Sequence, residues 1–197
     1  MRPGSKVVVG VGGNIGAGKT TAVKVFKDHG AECIAADEIG WGVLPEITQT
    51  LKEEFGEEIM RGCEIDKKKL QELVFSDRKR LEFLNRLSHP LLAKKIIRKA
   101  ENIESGIVVI DAALLFDWPA IYALADHAIL VTSQHANMRA RAKAKGIDHR
   151  LFSMILSMQK DEREMVAKAD FIIHNDGTLA QLREKCRVIY QRIKDDC

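Results

Sequence analysis

Residues 7–21 read Val7-Val8-Val9-Gly10-Val11-Gly12-Gly13-Asn14-Ile15-Gly16-Ala17-Gly18-Lys19-Thr20-Thr21, and this stretch decides the fold class. Val7 to Val11 is short, β-branched and bounded by glycine, the pattern of a buried strand. Gly13 to Thr20 then satisfies the spacing G-x-x-x-x-G-K-[ST] in full. Glycines let the backbone curl so that successive N–H groups converge on phosphate oxygens, and a helix opening near Lys19 adds its positive end. In such a loop Lys19 reaches the β- and γ-phosphates and the Thr20 hydroxyl ligates magnesium. The expected nucleotide contacts are therefore Gly13, Asn14, Ile15, Gly16, Ala17, Gly18, Lys19, Thr20 and Thr21. A glycine-rich turn joining two elements is the plain alternative. The strand before and the helix after argue against it.

Working outward, Lys19 to His29 places Ala22, Val23 and Phe26 on one side of a helix closed by Gly30. Glu32 to Ala36 reads as a second strand that ends at Asp37. Strand, loop, helix and strand in that order open an α/β fold with a parallel sheet. Ile107 to Ile110, ending in Asp111, then Ala128 to Thr132 and Phe171 to Ile173 complete a five-stranded sheet. From Glu46 to Ala100 strand signals vanish and apolar residues recur at helical spacing: Leu51, Phe55, Ile59; Leu70, Leu73, Val74; Leu81, Leu84, Leu87. Pro90 is read as opening another helix, in which Leu92, Ile96 and Ala100 share a face. Asn137 to Lys145 is a basic, Ala-rich helix carrying Arg139, Arg141, Lys143 and Lys145, and Leu151 to Lys168 is helical by composition. A Thr178-x-x-Gln181 capping box starts the last helix, with Leu179, Leu182, Cys186, Ile189 and Ile193 as its buried stripe. The expected organisation is a single domain over 1–197. Its core is 1–44 and 105–197, its helical lobe about 45–104 and its lid about 137–165.

The composition sets limits on function. The chain has 197 residues, 46% hydrophobic and 30% charged, the balance of a soluble globular domain. A net charge of +3 is too small to argue for nucleic-acid binding, though it leaves room for a local basic site. The apolar runs are too short for a membrane span. Met1 to Lys6 followed by the valines lacks the apolar stretch and cleavage site of a signal peptide. Cys33, Cys63, Cys186 and Cys197 form no C-x-x-C pair, which reads as a reduced cytosolic enzyme without a cysteine metal site. The guanine-reading sequence Asn-Lys-x-Asp is absent. A lobe after the second strand and a basic helix near residue 140 suit a small-molecule kinase, in which closure excludes water.

Several segments now line up in order: Val11 to Thr21, Ala35-Ala36-Asp37, Phe55-Gly56, Ile65-Asp66-Lys67, Val74-Phe75, Leu84-Asn85, His89-Pro90, Leu114-Leu115-Phe116, Gln159 and Ala169 to Asn175. Together they resemble the dephospho-CoA kinase family, over nearly the whole chain from about residue 7 to 190. The resemblance implies a three-layer α/β/α P-loop NTPase fold with an acceptor-binding lobe and a lid. It implies ATP and dephospho-CoA as substrates and magnesium as cofactor, with phosphorylation of the ribose 3′-hydroxyl to give CoA and ADP. It also implies a cytoplasmic enzyme without nucleic-acid or membrane partners, a monomer or small homo-oligomer. Two competing readings are another small-metabolite or nucleoside monophosphate kinase, and a nucleotide-binding module that has lost catalysis.

By the same resemblance Asp37 is the catalytic base, matching the second Asp of the family's Asp-Ala-Asp, while the first Asp is Ala35 here. A carboxylate just past the second strand can accept the attacking hydroxyl's proton, a helix cap or plain loop carboxylate being the alternative. Asp111, at the third strand's end, can hold magnesium directly or through water, or be an ordinary strand-end residue. His89, just before Pro90 at an expected helix start, is an acceptor contact or simply a polar helix-start residue; Leu114, Leu115 and Lys67 are the other expected acceptor contacts, Lys67 standing where the family usually has Arg. Where the family reads Pro-Leu-Leu-Phe-Glu, Ala113 replaces the Pro and Asp117 the Glu. Arg141 and Lys145, four residues apart, are expected to turn one helical face toward the transferring phosphoryl group, a solvated basic face being the alternative. Asn175 is expected to shape the loop against the adenine, or simply to form a turn. Trp41 and Trp118 read as packing or lobe-surface residues rather than stacking platforms.

Overall fold

The computed structural model describes residues 6–196. The leader reading of residues 1–5 and the Cys197 thiol lie outside the described residues. Alternation along the central strand β1 (Lys6–Gly12) sorts the core into two layers. Val9 and Val11 are fully buried against α1 (Lys19–Asp28) and α9 (Leu179–Asp195). The opposite face carries Val8, Gly10 and Gly12, and a Cβ on either glycine would stand 2.8 Å from Leu115 or 2.7 Å from Phe116. The glycines of β1 thus admit the short 3₁₀ turn Leu115–Asp117 onto the strand. Gly12 belongs to the strand, not to the loop after it.

β1 pairs in parallel with β5 (Gly106–Asp111) and β6 (His127–Thr132), with β2 (Glu32–Ala35) and β7 (Phe171–His174) outside them. The order β2-β5-β1-β6-β7 makes β1 the switch point, where a crevice opens beyond the carboxyl ends of the strands. Asp111 is in register with both Val11 and Ala35, so the phosphate loop, β5 and the start of α2 meet at one edge.

The lobe is α2 (Ala36–Phe55), a hairpin of β3 (Met60–Arg61) and β4 (Glu64–Ile65), α3 (Lys67–Phe75) and α4 (Arg78–Glu101). It closes over its own apolar cluster of Leu44, Leu51, Phe55, Ile59, Leu70 and Val74. Three expectations need correction. Strands do not vanish between Glu46 and Ala100, because the β3–β4 hairpin lies there, too short to carry a period-2 signal. Pro90 does not open a helix: it sits inside α4, as Pro45 sits inside α2, since neighbouring packing outweighs one lost backbone bond. Residues 151–168 are not one helix but α7 (His149–Met158) and α8 (Glu162–Val166), each begun by an Asp cap, Asp148 and Asp161.

The remaining helices are α5 (Pro119–Tyr122) and α6 (His135–Ala144). In α9 the Thr178–Gln181 capping box forms as expected. Leu179 is 51% exposed, so it leaves the buried stripe, and Tyr190 joins it, its hydroxyl donating to His29 O at 2.6 Å. No helix among the described residues is long and apolar enough to cross a membrane.

Candidate active site

The loop from Gly13 to Gly18 takes a shape that requires its glycines. Gly13 and Gly16 have φ of 140° and 75°, and a Cβ there would lie 2.1 Å from Val131 O and 2.2 Å from Met138 O. Main chain packs on main chain, and no side chain fits between. Lys19 folds over this loop, its ammonium donating to Gly13 O at 2.6 Å and Asn14 O at 3.3 Å. Thr20 stands exposed in the first turn of α1, on the same cavity as Ile15, Gly16 and Lys19. Gln159, at the break between α7 and α8, accepts the Ile15 N–H at 2.9 Å and ties that break to the loop.

Asp37 is the second residue of α2, exposed to the cavity, and Asp111 lines it from the end of β5. Lys19 and Asp111 feel the charges around them at this edge. Burial pushes the Lys19 ammonium below its ordinary pKa, and Asp111 and then Asp37 draw it back up. Burial likewise raises the Asp111 carboxyl, which Lys19 pulls down and Asp37 pushes up. Desolvation disfavours both charges, and each partly restores the other.

Arg141 departs from expectation. Its guanidinium does not line the cavity but spends its donors on protein oxygens: Gly16 O and Ala17 O at 3.3 Å, Ser133 Oγ at 3.0 Å and Asn175 O at 2.7 Å. One helical turn on, Lys145 does line the cavity, so the two cations do not share the face toward the phosphoryl group. The reason is reach: α6 runs alongside the loop, and a residue four positions earlier meets the loop's outer carbonyls. Arg139 and Lys143 are exposed. Asn175, buried after β7, donates from Nδ2 to Ala17 O at 2.8 Å. Arg141 and Asn175 therefore knot the phosphate loop to the 174–177 loop.

The cavity has a volume of about 630 Å³ and runs from this edge into the lobe. Leu114 lines it; Leu115 does not, being fully buried against β1. His89 lines it from the middle of α4, its ring stacked on Trp118 (4.6 Å between centroids, 28°), and burial lowers its pKa. It is not at a helix start. Lys67 does not line the cavity; its ammonium lies 5.0 Å from the ring centre of Trp41, a cation–π contact of about 0.5–1 kcal/mol. Trp41, Trp118 and Arg78 all line the cavity; Trp118 also packs in the core and Trp41 against the lobe cluster, as packing or lobe-surface residues do. The spacing of Asp37, Gly40, Trp41 and Leu44, one face of a helix that starts at a strand end, was the available signal.

A family model described as dephospho-CoA kinase matches residues 7–181. The chain belongs to the dephospho-CoA kinase family. A dephospho-CoA kinase of Shewanella oneidensis is 30% identical over 193 residues, covering 95% of this chain and 94% of the relative. The solved dephospho-CoA kinase from Campylobacter jejuni superposes with a TM-score of 0.68 at 25% identity, over 98% of this chain and 100% of that one. The Thermus thermophilus protein TT1252 shares the fold with a TM-score of 0.79 at 24% identity, over 95% of this chain and 98% of that one. Within the dephospho-CoA kinase family this chain has its own features. Ala35, where the family's first Asp usually stands, is in register with Asp111, so the sheet edge carries one carboxylate where two would be neighbours. Ile155 of α7 brings an apolar side chain to the cavity. From the segment 137–165, Lys145 is the cation that lines it.

Proposed function

We propose that this kinase transfers the γ-phosphoryl group of ATP to the ribose 3′-hydroxyl of dephospho-CoA, releasing ADP and CoA. One observation carries the reading. In a member of this family, the loop amides with Lys19, the carboxylates Asp37 and Asp111, and a long half-apolar cavity share one space at the carboxyl edge of the sheet. When the triphosphate arrives, the Lys19 ammonium exchanges the carbonyls of Gly13 and Asn14 for β- and γ-phosphate oxygens. Asp37 accepts the hydrogen bond of the 3′-hydroxyl and then its proton. The hydroxyl oxygen bonds to the γ-phosphorus as the bond to the β–γ bridging oxygen breaks, and that oxygen leaves with ADP. Lys145 brings positive charge from the lid side, and Arg141 acts indirectly, by holding the loop. Positioning and electrostatics supply most of such an acceleration.

Magnesium fits the donors present. Among the described residues no group of three or more His, Cys, Asp and Glu could hold a metal by itself. Thr20 and Asp111, a hydroxyl and a carboxylate on the same cavity, are the oxygen pair that magnesium uses when phosphates complete its shell. These two residues would hold the ion, which when bound neutralises charge on the phosphates. The reading also takes the enzyme to be cytoplasmic, with which the free thiols of Cys33, Cys63 and Cys186 accord, and a monomer or small homo-oligomer.

A coupled ADP-release assay with dephospho-CoA as acceptor tests the reaction. Turnover is expected with dephospho-CoA and not with nucleoside monophosphates. The Asp37→Asn variant is expected to keep ATP affinity and to lose about 10²- to 10⁴-fold in turnover. Near-wild-type turnover in that variant removes Asp37 from its role.

A further inference from the structure

The face of α2 that begins with Asp37 continues with Gly40, Trp41 and Leu44, all on the cavity. Asp37 and Trp41 are four residues apart and so lie one above the other, about one turn along the helix. An acceptor whose ribose hydroxyl meets Asp37 carries its base on the same sugar, and so places it within about a turn of that carboxylate. Two indoles line the cavity. Trp118 is 7% exposed and already has His89 stacked on it, whereas Trp41 is only half-buried. The residues flanking Trp41 in the helix are Gly40 and Gly42, which put no side chain beside the ring, and a Cβ at 42 would meet nothing within 4 Å. The Lys67 ammonium sits over the ring, 5.0 Å from its centre, and Lys67 itself does not line the cavity.

We infer that Trp41, backed by Lys67, is the stacking wall for the purine base of the acceptor and sets the preference for an acceptor that carries a base. The inference rests on the dephospho-CoA reading above and adds which residues recognise its nucleoside end. A purine presents a flat π-face to an indole, and such stacking is worth about tenfold or more in binding. Lys67 acts here as a positioning residue through Trp41 rather than by meeting phosphate.

The test pairs kinetics with fluorescence. Trp41→Leu is expected to raise KM for dephospho-CoA about tenfold while kcat and KM for ATP stay near wild type. Trp41→Phe is expected to recover most of the loss, and Lys67→Met to give a smaller rise of the same kind. In a Trp118→Phe background Trp41 is the sole indole, since the chain has two tryptophans. Dephospho-CoA is expected to quench it and pantetheine 4′-phosphate, which has the arm but no base, to leave it unchanged. Equal quenching by both, or an unaltered KM in Trp41→Leu, overturns the inference. Wild-type protein that releases no ADP with dephospho-CoA strikes the proposed reaction instead, and the fluorescence titration then still reports whether the base reaches Trp41.

Discussion

At the nucleotide end of the cleft, Gly13 and Gly16 press backbone on backbone and Arg141 ties four oxygens from three segments. At the acceptor end the walls are side chains from α2, α4 and the turn after β5, brought together by the lobe's own apolar cluster. The first region, with backbone within 2.2 Å of where a side chain would begin, tolerates almost no change of shape. The second is walled by side chains such as Trp41, His89 and Leu114, whose identity local backbone shape does not fix. A rigid donor end with a variable acceptor end lets one fold serve many acceptors.

Substitutions at the two ends should therefore separate the two substrates. The largest effect is expected for Gly16→Ala, whose methyl group must displace the main chain of Met138 from a left-handed position. ATP affinity, read by calorimetry, is expected to fall by about 10²-fold while dephospho-CoA binding is kept. Next comes a pair. Arg141→Ala is expected to lower stability in urea unfolding by about 2–3 kcal/mol and to raise KM for ATP. Leu70→Ala, in the lobe cluster, is expected to lower stability by about 2–4 kcal/mol and to raise KM for the acceptor. If both variants move the same KM, the two ends are one unit and the contrast fails.

The smallest effect concerns Asp111. Burial holds its pKa above the ordinary 3.8, so the native protein without ligands binds that proton more readily than the unfolded chain does. At neutral pH the buried charge then works against folding, an effect that shrinks as pH falls through the raised pKa and is gone below 3.8. Asp111→Asn is expected to raise Tm by a small amount at neutral pH and by nothing at the acid limit. A lowered Tm at neutral pH would show that attraction to Lys19 outweighs desolvation.

What could be read from the chain divides along the same line. The phosphate loop was legible because its chemistry is contiguous backbone, fixed by spacing alone. The β-branched runs located the five parallel strands, and the strand ends pointed to Asp37 and Asp111. Side-chain direction was not legible. Leu114 and Leu115 are neighbours, yet the 3₁₀ turn sends one to the cavity and the other under β1. Arg141 and Lys145 share a helical stripe, yet only the docking of α6 against the loop decides which one the cavity sees. Pro90 was misjudged because tertiary packing, absent from a local pattern, overrode propensity, and the β3–β4 hairpin because its strands are too short to show a period.

The knot formed by Arg141, Asn175 and Ala17 fixes two loops before any nucleotide arrives. Ordering of those loops is part of folding itself, so little conformational entropy is left to lose when the phosphates dock. Nucleotide association should accordingly be enthalpy-led and fast, with the slower, entropically demanding step reserved for the partner substrate between the helices.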